Sequence, residues 1–307
     1  PSAEEEARLA RLRRKLFEAR EARVHPGLDD KILADWNGLM IAALVNAATL
    51  LGEHGWIERA VRAYDFIVST MLYLDGDSEA RLAHSWRAGV LVKPGLALDY
   101  AAMMRAALAL YEARNLTMAT RRRDYLSDAL GFAEALETYH LNAETGLLCM
   151  AAKDAGDVIL RLAPTYDDAI PNAHPVYLSA LVRVAGLTGD AKWLARADAL
   201  FKAVAPLLRA NLVGHAGVLN ALDLRLRGKE IVTVGPQRAA LYQAALAAPF
   251  IDRTVMDIDS LDAGPDGHPA HAQAQMAGEA AAFVCSGGAC SLPARDVEAL
   301  RRVVASR

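Results

Sequence analysis

Side chains able to move protons or hold a polar ligand gather in four short stretches of this 307-residue chain. The first holds Asp29, Asp30, Asp35, Trp36 and Asn37, and the second His84, Trp86 and Arg87. The third holds Asp99 and Tyr100; the fourth holds Tyr166, Asp167, Asp168, Asn172 and His174. Carboxylates opposed across a cavity suit glycoside hydrolysis, where one acid protonates the leaving oxygen and another activates water. Epimerisation beside a carbonyl needs paired proton carriers instead, a role suited to imidazole. Under either chemistry Asp29, Asp30 and Asp168 are the acid or base candidates. Trp36, Asn37, His84, Trp86, Arg87, Asp99, Tyr100, Tyr166, Asp167, Asn172 and His174 are the candidates for positioning substrate.

Each has a structural reading as well. Asp29 or Asp30 would cap the helix that carries Trp36, since aspartate is a favoured N-cap. Trp36 would sit in the core, Arg87 would bridge Asp99 or Asp168, and Asp167-Asp168 would serve a turn.

The elements that must position these groups are set by a repeat. "GEHGWIERA" at Gly52 recurs as "GDAKWLARA" at Gly189, which places Trp56 and Trp193 137 residues apart. Tyr125 occupies the midpoint, 69 residues after Trp56 and 68 before Trp193. Ala60, Ala129 and Ala197 then align, followed by Tyr64, Ala133 and Phe201, and by Ile67, Leu136 and Val204. Those offsets share one face of a helix, so each copy predicts an outer amphipathic helix with a buried stripe. Ahead of each copy lies a nearly uncharged run: "GLMIAALVNAATLL", "LALDYAAMMRAALALY", with only Asp99 and Arg105, and "VYLSALVRVAGL", with only Arg183. Helices apolar on most sides are buried on most sides. The expected fold is therefore mainly α: a toroid of helical hairpins over 1–226, about three and a half of them, with the candidate groups at one mouth of the inner layer. A small α/β segment over 227–307 follows, its strands read in "KEIVTVG", "RTVMDID" and "AAAFVC". The long connections carry strand-like pieces, "ARLAHSW" and "GLLCMAA" with "DVILRLA", expected to form hairpins. A first helix with Leu9, Leu12, Leu16 and Ala19 on one face reads as an outer helix without its inner partner, and Pro1 in first place suggests an excised or processed chain.

Composition narrows the partners. A net charge of -3 from 34 basic and 37 acidic residues offers no broad positive field, so neither nucleic acid nor an anionic membrane is expected. The longest apolar runs read as shorter than the roughly 20 residues of a membrane span. Three cysteines make no disulfide framework, which points to a cytoplasmic location. Cys285 and Cys290 enclose Ser-Gly-Gly-Ala, a spacing unlike redox or zinc motifs, so a structural role is expected, with no metal and no cofactor.

Several blocks then carry a resemblance. "DDKILADWNGLMIAAL", "HSWRAG", "LDYA", "YDDAIP", "KEIVTVG" and "AFVC" with "CSLP" occur in the order seen in thioredoxin-domain-containing proteins related to spermatogenesis-associated protein 20. The resemblance implies a thioredoxin-like domain N-terminal to a six-hairpin α/α toroid similar to N-acylglucosamine 2-epimerases and inverting glycosidases. It thereby implies two partners, that domain and a small carbohydrate-like ligand. Asn172-Ala173-His174-Pro175 departs from the Ser-Gly-Asn run usual there. Whether the chain catalyses an epimerase- or glycosidase-like step, or is a non-catalytic helical scaffold, is left open by the sequence.

Overall fold

The computed structural model describes residues 1–75, 80–258, 268 and 270–306. It divides into two units, Pro1–Lys31 and Ile32–Arg307. The first unit is built on α1 (Ala3–Glu21), opened by a capping box in which Ser2 and Glu5 satisfy each other's backbone N–H groups. None of its residues is buried, and Leu9, Leu12 and Leu16 stand 40%, 47% and 72% exposed. The buried stripe expected there is not formed. Capping, an acidic first turn and the Arg13–Glu6 pair support this helix locally.

In the second unit the repeat appears as predicted. α2 (Ala34–Leu51) turns through Gly52 into α3 (His54–Thr70); α4 (Ala97–Glu112) leads to α5 (Tyr125–His140); and α6 (Ala173–Thr188) turns through Gly189 into α7 (Ala191–Leu208). Gly52 and Gly189 take left-handed φ of 74° and 69°, the C-terminal cap that glycine adopts without strain. α8 (Ala216–Arg227) adds one more inner helix. Each outer helix packs on its own inner partner, and the inner helices pack in series, α2 on α4, α4 on α6 and α6 on α8. Two layers of a toroid result. The aligned stripe residues Ala60, Ile67, Ala129, Leu136, Ala197 and Val204 are all within 1% of full burial.

α2 is 18 residues long and apolar enough, by length and composition, to cross a membrane, longer than the run read from the sequence. Here it buries Ile41, Val45 and Ala48 in the core. Its approach to α4 is close. A β-carbon on Gly38 would lie 2.6 Å from the carbonyl carbon and 2.8 Å from the carbonyl oxygen of Ala102, neither of which is free to rotate away. Gly38→Ala is expected to lower stability by about 1–3 kcal/mol, the usual cost of overpacking. A shift of the urea midpoint to lower concentration checks it.

The connection between α3 and α4 folds as small antiparallel sheets. β2 (Leu72–Leu74) pairs with β3 (Ala80–Leu82), while β1 (Ile32–Leu33), β4 (Ser85–Arg87) and β5 (Val90–Val92) form a second sheet in the order β1-β4-β5. The later connection differs from expectation: "GLLCMAA" and "DVILRLA" form no hairpin. They make only the bridge Leu141–Leu148 and single links such as Met150 N–H to Leu162 O, and Ile159 and Leu160 are exposed. Leu148, Cys149 and Ala152 of the first piece are buried, whereas the apolar run Val158-Ile159-Leu160 of the second meets no packed face.

The chain closes with β6 (Lys229–Val234), α9 (Ala239–Leu246), β7 (Arg253–Ile258), α10 (Ala270–Ala277), β8 (Ala281–Ser286), β9 (Ala289–Cys290) and α11 (Val297–Ala305). The sheet order is β7-β6-β8-β9, with β6 parallel to β7 and antiparallel to β8. All three strands read from the sequence are present. Cys285 and Cys290, paired across β8 and β9, form a disulfide, and Gln273 Nε2 donates to both sulfurs. The structural role expected for them takes this covalent form, which their spacing did not foretell.

Candidate functional site

The start of α4 and the short sheet before it bring three ionisable groups together. Asp99 is the third residue of α4 and has no solvent exposure. Its Oδ2 accepts the N–H of Leu96 at 2.6 Å, closing the first turn of its own helix. Its Oδ1 accepts the N–H of Asp35 at 3.0 Å, so the same carboxylate also caps the first turn of α2. Asp29 and Asp30 do not cap that helix: Leu33 is the N-cap, with no side-chain hydrogen bond.

His84 completes the cluster. Its backbone is fixed on both sides, N–H donating to Val92 O at 2.8 Å and C=O accepting from Ala34 at 3.0 Å. Its Nδ1 lies 3.0 Å from Asp99 Oδ2 and 3.3 Å from Oδ1. The carboxylate that pairs with this loop thus meets His84, where the sequence had suggested Arg87. Asp35, His84 and Asp99 each offer one atom within 4.8 Å of the others. Burial raises the pKa of Asp99 to about 6, against the lowering effect of His84 and with a further rise from Asp35. Burial also raises Asp35, opposed by the N–H of Trp36 and by His84. One histidine and two carboxylates are donors a divalent cation accepts. Asp99, however, already uses both oxygens on amide N–H groups, and the arrangement fits proton sharing better than ligation.

The other candidates fall into distinct places. Trp36, next to Asp35, is 58% exposed, so it is not a core residue. Asn37 donates to Leu33 O within the first turn of α2. Trp86 packs edge-on against Phe66 with centroids 5.4 Å apart, and Arg87 is exposed beside it. Tyr100 is enclosed, its hydroxyl accepting from Leu82 N–H at 3.1 Å, which makes it part of the core rather than a substrate contact. Asp29 and Asp30 are exposed in the first unit, Asp29 pairing with Lys31.

Asp167 and Asn172 build a second polar knot at the start of α6. Asp167 accepts from Asn172 N–H at 2.9 Å and from Gly217 N–H at 2.7 Å, the turn role considered for it. Asn172 is the N-cap of α6 and donates to Pro164 O. His174 has no exposure; its Nδ1 meets Asn172 Oδ1 at 2.8 Å and its Nε2 accepts Leu148 N–H at 3.0 Å. Burial lowers its pKa to about 4, and both ring nitrogens are engaged, so it holds the loop and does not face a substrate. Tyr166 and Asp168 remain exposed on that loop. The sequence places Asp35 beside Trp36 and Asn37 without indicating a role for it. Its signal was its place in the first turn of a buried helix.

These features define a class: a helical-hairpin toroid with a histidine–carboxylate cluster where two inner helices begin. No protein-family model matches the chain. It is similar to human spermatogenesis-associated protein 20, 27% identical over 311 residues, which is 94% of this chain and 38% of the human protein. The rat protein of that name is 26% identical over 310 residues, again 94% and 38%. The chain thus spans under two-fifths of the length of these relatives, and the resemblance read from its motifs extends over nearly all of it. Among solved structures it is similar to the GH76 α-mannanase BT2949 of Bacteroides thetaiotaomicron, with a TM-score of 0.50, 16% identity, and 74% of this chain and 58% of that one covered. That likeness bears out the toroid fold.

Proposed function

We propose that the chain carries a proton-transfer site for a carbohydrate-like small molecule, of the epimerase or isomerase kind. The observation that carries this reading is the enclosed Asp99 aligned on Nδ1 of a His84 that is itself 26% exposed. A buried carboxylate in that position fixes the imidazole's tautomer and stabilises its charged form. The imidazole then takes the proton from a carbon next to a carbonyl; the C–H electron pair forms the C=C bond of an enediolate, and the carbonyl oxygen takes the charge. The proton returns to the same or the neighbouring carbon. Asp35, raised by burial, buffers the pair, and the exposed Trp36 ring offers an apolar face to a sugar. Glycoside hydrolysis fits less well. Its two carboxyls flank the bond at about 5–5.5 Å or 6.5–9.5 Å and both reach the sugar, whereas Asp99 is fully enclosed.

The test is hydrogen exchange at C2 of mannose, N-acetylglucosamine and cellobiose in D2O, followed by proton NMR. The wild-type protein is expected to exchange at least one, and His84→Asn to slow it by about 10²-fold or more, the scale of general acid–base catalysis. Absence of exchange in all three, or an unchanged rate in the variant, refutes the reading. A scaffold reading rests on a different observation, the apolar stripe of Trp36, Met40 and Leu50 exposed along α2. It predicts no exchange with any sugar.

A further inference from the structure

A cleft of about 150 Å³ opens between α4, α6 and α8, lined among others by Arg105, Val176, Ser179, Arg183, Asn220 and Phe250. No acid is among the described residues that line it. Arg183 is held by the protein: its guanidinium donates to the carbonyls of Phe250 and Arg253 and pairs with Glu112 at 3.4 Å. Arg253 is held likewise, by Glu112 and by the carbonyls of Leu246 and Ala248. Arg105 is different. Its guanidinium carbon lies 5.3 Å from the centroid of the Phe250 ring, and among the described residues no carboxylate reaches it. Burial alone lowers its pKa, with no opposing partner. The Phe250 ring therefore has guanidiniums at 5.3, 4.0 and 5.7 Å, and the one carboxylate among them, Glu112, serves Arg183 and Arg253.

Arg105 is only partly buried, and its described contact is the face of the Phe250 ring, a weak stabilisation that leaves its guanidinium N–H groups without an acceptor among the described residues. We propose that this cleft binds a small oxyanion, a phosphate or carboxylate group carried on a compact polar molecule, with Arg105 as its anchor and Ser179 and Asn220 as neutral hydrogen-bonding partners. Guanidinium presents paired N–H groups that match such oxyanions. The cleft is small, about 150 Å³, and open to solvent, so it suits an anionic group seated on Arg105 with the rest of a compact polar molecule extending outward. This site stands independently of the proton-transfer reading, because none of its residues belongs to the His84 cluster.

The experiment is calorimetric titration and thermal shift with inorganic phosphate, glucose 6-phosphate, glucuronate and glucose at matched ionic strength in chloride. Saturable binding of inorganic phosphate or glucose 6-phosphate assigns the site to phosphate; binding of glucuronate alone assigns it to carboxylate; glucose is expected to bind in neither case. Arg105→Gln is expected to weaken anion binding by at least about tenfold, or 1.4 kcal/mol, without lowering the Tm of the unliganded protein, and Arg105→Lys to retain part of it. Asn220→Asp, an exposed position on α8, is expected to abolish binding by placing a negative charge in the cleft, and it serves should Arg105→Gln fail to fold. The proposal is overturned if no anion binds saturably, if the Arg105→Gln or Asn220→Asp protein binds as wild type does, or if a folded Arg105→Gln loses substantial Tm, which would make Arg105 a structural group.

Discussion

Glu112→Ala is expected to lower the stability of the protein by about 3–5 kcal/mol, the cost of leaving buried charge uncompensated. Glu112 is 3% exposed, as is Arg183, and Arg253 is 2% exposed. Its two oxygens are divided, Oε1 to Arg183 and Oε2 to Arg253, and its backbone carbonyl accepts the hydroxyl of Tyr242 at 2.6 Å. The carboxylate thus joins α4 to α6 and to β7, tying the helical layers to the C-terminal sheet. Burial already lowers the pKa of Arg183 to about 10, and Glu112 is its largest opposing influence. With alanine in its place, two guanidiniums keep their carbonyl acceptors but lose their only counter-charge among the described residues. Glu112→Gln keeps one acceptor oxygen and is expected to cost less. Equilibrium urea unfolding distinguishes the two variants; a loss below about 1 kcal/mol for Glu112→Ala, the level of an exposed pair, would mean that the guanidiniums are solvated.

The same cluster shows what a sequence can and cannot announce. The repeat was legible because burial at fixed helical offsets is a local property: Trp56, Tyr125 and Trp193 mark the first turns of α3, α5 and α7, and the small and aliphatic residues after them line the core. Lone charges in apolar runs, Arg105, Arg183 and Asp99, were visible too, but their partners were not. Asp35 and Asp99 are 64 residues apart, Arg183 and Glu112 71, and Glu112 and Arg253 141. Such pairings follow from how helices meet, which no local pattern encodes. A charge in a helix otherwise buried must be satisfied somewhere, so each lone charge signalled a site without saying where. The misread hairpin around Val158 to Leu160 has the converse cause. Val158, Ile159 and Leu160 make a short apolar run like that of a strand, yet without a facing layer they remain exposed.

Two enclosed histidines are expected to make the fold acid-labile well above the usual carboxylate range. His140 and His174 have no exposure, and burial lowers the pKa of each to about 4. His140 donates from Nδ1 to Cys149 O at 3.1 Å, while its Nε2 has no partner; a proton placed there would find no acceptor. His174 accepts Leu148 N–H at Nε2, and protonation would turn that acceptor into a donor facing a donor. Between pH 6.5, where an unfolded histidine titrates, and about 4, the unfolded chain binds protons that the folded one excludes. Stability therefore rises with pH through this window and is lost as pH falls through it, by about 2–3 kcal/mol per ring at pH 4.5. Asp99 works in the opposite sense, since a carboxyl raised to about 6 favours the folded state as pH falls toward its unfolded value. The net loss is smaller than the two histidines alone would give, and single variants separate the contributions. His174→Gln and His140→Gln are each expected to lower stability at pH 7 yet flatten its slope between pH 6.5 and 4.5, whereas Asp99→Asn steepens it. Urea midpoints across that range provide the measurement, and slopes identical to wild type in both histidine variants would show that these rings are protonated in the folded protein or reached by water.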